Sequence, residues 1–152
     1  MIINNKLDKS FGPVGSFAGI VVFIAGLGAF YYSLYSIILV LLGAFVSFSY
    51  SSASIDVEKK RIRFTNNLFG VIKTGQWLNI SSDMKIVIKK SKNVWRSYSG
   101  GNRTLDIPDE DYRLILTDYQ GKPLMTIKKT GGLNSAKSEL EQICKQLELS
   151  AI

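Results

Sequence analysis

The chain has 152 residues, room for one domain and a short appendage, with 19 basic and 12 acidic residues and a formal net charge of +7. It has no histidine and a single cysteine, Cys144, which removes the commonest metal ligand and general base and excludes an intrachain disulfide. The moderate positive surplus suits an anionic membrane surface or an acidic partner and is weak for nucleic acid.

The charge is unevenly placed. After Lys6, Asp8 and Lys9, no Asp, Glu, Lys or Arg occurs from Ser10 to Ile55, a run of 46 residues. A hydrocarbon core about 30 Å thick takes roughly 20 helical residues, so the apolar stretch Phe11–Tyr50 is too long for one crossing and reads as two. The expected break is Tyr31-Tyr32-Ser33-Leu34-Tyr35-Ser36, where three tyrosines mark an interfacial belt around a tight turn. The spans are then near Pro13–Phe30 and Tyr35–Tyr50, both short. Lys6 and Lys9 flank one end and a basic segment follows the other, so the positive-inside rule places both termini in the cytoplasm. The expected organisation is an N-terminal cytoplasmic tail over 1–10, a transmembrane helical hairpin over 11–50 and a cytoplasmic domain over 51–152, in a multi-pass protein of the cytoplasmic membrane. A cleaved signal peptide ending near Gly26-Leu27-Gly28 is the rival reading, and the second span counts against it. A lipoprotein is excluded, because no cysteine lies near residue 30.

Gly15-x-x-x-Gly19 is a small-xxx-small pair that lets helix backbones approach closely. Two uses are open: packing the two spans together, or docking another transmembrane subunit. Neither span carries a charged residue, which argues against a proton relay or ion path.

From Ile55 the pattern alternates with period two, the mark of half-buried strands. Ile55 and Val57, Ile62 and Phe64, the stretch Val71–Leu78, then Met84, Ile86 and Ile88, Val94–Tyr98, Tyr112 to Leu116, and Leu124–Lys128 give seven strands. The polar stretch Ser99–Asp111, with Gly100-Gly101 and Pro108, reads as the longest loop. After Gly131-Gly132, Asn134 or Ser135 can cap a helix running to about Leu149. Its apolar residues Leu133, Ala136, Leu140, Ile143, Cys144 and Leu147 form one stripe.

Seven meandering strands followed by an amphipathic helix is the element order of a pleckstrin-homology-like (PH-like) domain. A more specific likeness lies in Asp56-Val57-Glu58-Lys59-Lys60-Arg61-Ile62-Arg63 and Asn67-Leu68-Phe69-Gly70-Val71-Ile72-Lys73-Thr74-Gly75-Gln76-Trp77. On Phe69-Gly70, Lys73, Gly75 and Trp77 the chain resembles small uncharacterised bacterial membrane proteins that join a two-helix anchor to a PH-like domain. The resemblance implies an architecture, a membrane hairpin plus a mainly β (α+β) seven-stranded bent sandwich closed by a helix. It brings no activity and no assigned binding residues.

No phosphate-binding loop, dinucleotide fingerprint, nucleophile elbow or metal-spaced Cys/His motif is present. No cofactor or metal is expected, and the chain reads as no enzyme. Cys144 lies on the apolar stripe and reads as a core residue. Asp106, Asp109, Glu110 and Asp111 match no calcium-loop spacing and read as a solvated loop or a contact for a basic partner. Lys59-Lys60-Arg61-x-Arg63 resembles the basic cluster of phosphoinositide-binding PH domains but lacks their long intervening loop. Trp77 reads as packed, and Trp95 as core or rim. In an up-and-down meander alternate turns return to the membrane, which places Lys89, Lys90, Lys92 and Arg96 against the anionic leaflet. Leu68 and Phe69, on another returning turn, dip into the interface in the same reading. The expected function is a non-enzymatic accessory or scaffold subunit whose PH-like domain mediates protein contacts at the cytoplasmic face. Its partners would be membrane lipids and a larger membrane complex or further copies of itself. The rival is a lipid-responsive module that binds anionic headgroups.

Overall fold

The computed structural model describes residues 1–98 and 104–151. In chain order the elements are β1 (Ile2–Lys9), α1 (Gly12–Phe30), a 3-10 turn (Leu34–Ser36), α2 (Ile37–Phe48), β2 (Tyr50–Asp56), β3 (Arg61–Leu68), β4 (Ile72–Thr74) and β5 (Trp77–Asn79). There follow β6 (Lys85–Tyr98), β7 (Thr104–Thr117), β8 (Pro123–Thr130), α3 (Leu133–Leu147) and β9 (Ser150–Ala151). The chain divides into two compact units, one of Asp8–Ser51 with Asn66–Thr74, the other of Met1–Leu7, Ser52–Thr65 and Gly75–Ile152.

The first unit is built on the charge-free run. Pro13 stands in the first turn of α1, where its missing N–H costs nothing. The helix stops at Phe30, and the expected break follows: Ser33 accepts from the Tyr35 amide at 3.3 Å to start the 3-10 turn. An added Cβ at Gly19 would lie 2.7 Å from Ser47 Oγ, at Gly26 2.8 Å from the Val40 nitrogen, and at Gly43 2.6 Å from Phe23 Cα. Partner numbers fall along α2 as they rise along α1, so the helices run antiparallel with their backbones nearly touching. Their facing positions are small: Gly12, Ser16, Gly19 and Gly26 are buried on α1, Gly43 and Ser47 on α2. Ser47 donates its hydroxyl to the Gly43 carbonyl at 2.6 Å and so satisfies it within its own helix. The large side chains point the other way, with Phe17 67%, Ile24 61% and Ile38 57% exposed. One helix, Gly12–Phe30, with a mean hydropathy of 2.0, is long and apolar enough to cross a membrane, and Leu34–Phe48 is a shorter apolar helix.

The turn Asn66–Thr74 belongs to this unit. Asn66, Asn67 and Leu68 pair with Thr74, Lys73 and Ile72 across a turn in which Phe69 and Gly70 both take left-handed backbone, φ 54° and 74°. Gly70 fits that conformation without a Cβ penalty, whereas Phe69 pays it.

In the second unit β1, β2 and β3 lie side by side, and Arg61, Ile62 and Arg63 of β3 pair with Asn79, Leu78 and Trp77 of β5. The residues read as an N-terminal tail therefore form a strand. Ser54 Oγ donates to Asn4 Oδ1 at 3.3 Å and Asn5 Nδ2 to the Ile127 carbonyl at 3.3 Å, partners that no local pattern announces. The expected third strand is two strands broken at Gly75, whose φ of 147° no other residue adopts easily and whose Cβ would overlap the Phe64 carbonyl oxygen. Gly75→Ala is expected to cost about 2 kcal/mol through strain and clash, read as a lower urea midpoint with unchanged slope.

The second sheet has the order β8-β7-β6-β9. The expected fourth and fifth strands are one strand, β6, and residues 104–111 of the expected loop are part of β7; residues 99–103 lie outside the described residues. β6 and β7 pair in unbroken antiparallel register from Lys85↔Thr117 to Tyr98↔Thr104. β8 covers β7 only over Tyr112–Thr117, so Ser91–Tyr98 and Thr104–Asp111 project as a two-stranded ribbon.

The core joins both sheets to α3: Ile55 and Ile62 from the first, Ile86, Leu114, Leu116 and Ile127 from the second, and Ala136, Leu140, Ile143, Cys144 and Leu147 from the helix. Gly132, rather than Asn134 or Ser135, occupies the position before α3 and supplies no side-chain cap. Leu133, the first residue of the expected stripe, stays exposed.

Candidate functional site

β6 alternates its side chains between two faces. Lys90, Lys92 and Arg96 therefore share one face with Val94 and Tyr98, and Lys89 lies on the other, on the wall of a cleft of about 150 Å³ with Val87, Ile115, Thr117, Gly121 and Pro123. The sequence-level grouping of four cations is thus split by the pleat. Two of the four are also engaged. Arg96 donates to both oxygens of Asp106, at 2.7 and 2.9 Å, and Lys90 lies 2.8 Å from Glu110. These pairs hold Asp106 and Glu110 below the usual carboxylate range, and Lys92 adds to the effect on Glu110 through space.

The acidic run is therefore the partner strand of the basic one rather than a loop. Its innermost member is different in kind. Asp111 is 2% exposed; burial pushes its pKa up, but hydrogen bonds from Arg113 and Lys129, and their charges, outweigh that and leave it below the ordinary value. Arg113 donates to both Asp111 oxygens at 2.9 and 3.0 Å, and Lys129 lies 2.9 Å away. Among the described residues no group of three or more His, Cys, Asp or Glu is arranged to hold a metal ion. Cys144 is buried in the core, and desolvation raises its thiol pKa, the opposite of what a nucleophile needs.

Of the two turn residues, Phe69 lies against α2. The Phe69 ring centroid is 5.3 Å from that of Phe45, its amide donates to Ser49 Oγ at 3.2 Å, and the neighbouring Asn67 donates to the Tyr50 carbonyl at 3.2 Å. Leu68 and Phe69 are both half-buried. Of the glycine pair, Gly19 meets α2, whereas a Cβ at Gly15 would meet only Phe11 of the preceding turn. The contact line instead runs through Gly12, Ser16, Gly19, Phe23 and Gly26, which alternates steps of four and three.

One cluster was not legible as a unit. Trp77 is half-buried beneath two cations, with the Arg61 guanidinium carbon 4.4 Å and that of Arg63 4.7 Å from the ring. Arg61 is also held by the buried Asp56 at 3.1 Å, and Lys60 pairs with Glu148 at 2.5 Å. The basic hairpin is therefore largely spent on its own neighbours. The signal in the sequence is the alternation Arg61-x-Arg63, but only the register of β5 shows that Trp77 lies opposite.

No protein-family model and no curated protein matches the chain.

Proposed function

We propose that the protein is a membrane-anchored, non-enzymatic adaptor: α1 and α2 form a hairpin inserted in the bacterial cytoplasmic membrane, and a PH-like domain presents a protein-binding surface on the cytoplasmic side. The observation that carries this reading is the inverted distribution of size on the two helices. Glycine and serine are turned inward and Phe17, Ile20, Val21, Ile24, Leu27, Ile38, Leu41 and Leu42 outward. Fully shielding a side chain of this size from water is worth about 1.5 to 3 kcal/mol, so eight of them left exposed in water would forgo a stabilisation on the order of a domain's whole stability. In lipid the same arrangement costs nothing, and close packing of small residues supplies the attraction.

Length supports the same reading. The 19 residues of α1 rise about 28 Å at ~1.5 Å each, close to the hydrocarbon thickness. The shorter second helix requires local thinning of the bilayer. Two sheets, the second antiparallel but for the short parallel pairing of β9 with β6, and an amphipathic helix after the last long strand support the PH-like assignment, with β1 and β9 as additions to the seven expected strands.

Two measurements on cells test the reading. The chain is expected to stay in the pellet when membranes are washed at high pH, and a reporter fused after its last residue is expected to be active in the cytoplasm only. Recovery in the supernatant without detergent would remove the anchor, and an external reporter would remove the topology.

A further inference from the structure

We infer that the outer edge of β6 is a strand-addition site for an acidic, extended segment of a partner protein. The inference rests on the adaptor reading and names the surface and the partner chemistry that reading lacks.

The edge is open. β9 pairs with β6 only at Lys85 and Ile86, and from Val87 to Tyr98 no described strand or backbone hydrogen bond meets that side. Twelve residues of strand give roughly 40 Å of free donors and acceptors at about 3.3 Å per residue. Such an edge pairs with whatever strand its side chains tolerate.

The side chains set a narrow tolerance. The 14 residues of β6 hold Lys85, Lys89, Lys90, Lys92 and Arg96 and no acidic residue. A second β6 laid against it would place cations opposite cations, and like charges directly opposite are destabilising. The other free edge of the ribbon, on Thr104–Asp111 of β7, bears Asp106, Asp109, Glu110, Asp111 and Pro108, and proline has no N–H to give a ladder. Charge thus disfavours β6 against β6 of a second copy, and Pro108 interrupts the ladder that β6 would form with the acidic β7 edge of another copy.

The strand that β6 does accept is the acidic one, β7. Among the described residues Lys85 and Lys89 form no ion pair, since Lys85 faces Thr117 and Lys89 faces Arg113 in the register. Lys89, beyond the two residues that β9 covers, is left for an incoming strand. On the opposite face Val94 and Tyr98, 54% and 73% exposed, alternate with Lys92 and Arg96. The fitting segment therefore carries Glu or Asp at alternate positions, on the face it shares with Lys89, with apolar or β-branched residues between them, on the face it shares with Val94 and Tyr98.

The test uses the full chain in detergent and three fluorescein-labelled decapeptides: alternating Glu and Val, the same peptide N-methylated at every second amide, and alternating Lys and Val. The Glu peptide is expected to bind, with Kd at least tenfold higher after N-methylation, and again at least tenfold higher for the double variant Lys89→Glu/Lys92→Glu. The Lys peptide is expected not to bind. Equal binding of the methylated and unmethylated acidic peptides would reduce the effect to bulk charge and overturn the strand-addition site, as would binding of the Lys peptide.

A photo-cross-linker in place of Val94, and separately of Lys137 on α3, then separates this inference from the adaptor reading in cells. Capture from position 94 of another protein, cross-linked within an acidic extended segment, supports the inference. Capture from position 137 alone, or capture of a second copy from position 94, overturns the edge assignment and leaves the adaptor reading standing. Capture from neither removes both.

Discussion

Replacing Gly43 with leucine is expected to force α1 and α2 apart and to cost about 3 kcal/mol or more, at the top of the range for overpacking. Even a methyl group at position 43 would lie 2.6 Å from Phe23 Cα and 2.8 Å from its Cβ. The obstacle on the first of these is backbone, which cannot rotate out of the way. The measurement is the midpoint of an SDS titration in mixed micelles, followed by far-ultraviolet circular dichroism. Gly28→Ala is the control, because nothing lies within 4 Å of its added methyl group. There the usual helical preference of alanine over glycine, up to about 1 kcal/mol, should raise the midpoint. If Gly43→Leu matched wild type while Gly28→Ala behaved as stated, the close approach of the helices would be wrong.

Asp111→Asn is expected to destabilise the sheet unit by about 2 to 3 kcal/mol near neutral pH. Removing one member of a fully buried ion pair costs about 3 to 5 kcal/mol; the smaller figure follows because Arg113 and Lys129 are 15% and 24% exposed and regain some water. The pH dependence carries a definite sign. Asp111 has a folded-state pKa below its unfolded one, which is about 3.9. Its contribution is therefore complete above the unfolded value and disappears as pH falls through the lower, folded one. The gap between wild type and Asp111→Asn in urea unfolding should be widest at neutral pH and close towards pH 2. A gap independent of pH would mean that the carboxylate charge is not what holds Arg113 and Lys129.

The helical unit was legible because its signal is local and one-sided. Three tyrosines and two serines interrupt the charge-free run near its middle, and α1 ends at Phe30, just before them. α3 was legible for a similar reason: one apolar stripe, buried from Ala136 to Leu147. Residues 104–111 were not, because four acids and a proline in eight residues have poor strand propensity. Their state is decided by a partner, the cation-rich β6, through Arg96–Asp106 and Lys90–Glu110. β1 was missed because its pairing partner, β2, lies more than forty residues on. Of the candidate site, Lys89, Lys90, Lys92 and Arg96 were expected together at and beside a turn between two strands, and the alternation that separates Lys89 from its neighbours appears only once one strand replaces a strand, a turn and a second strand.

Cys144 gives the molecule a built-in clock. It is the chain's sole sulfhydryl and is shut inside the interior by Leu140, Ile143 and Leu147 of its own helix and by the two sheets. At 8% exposure it meets a thiol reagent chiefly when the packing around it opens, so the rate of modification, corrected for the exposed rate, follows those openings. No label has to be introduced to follow how often that layer breathes.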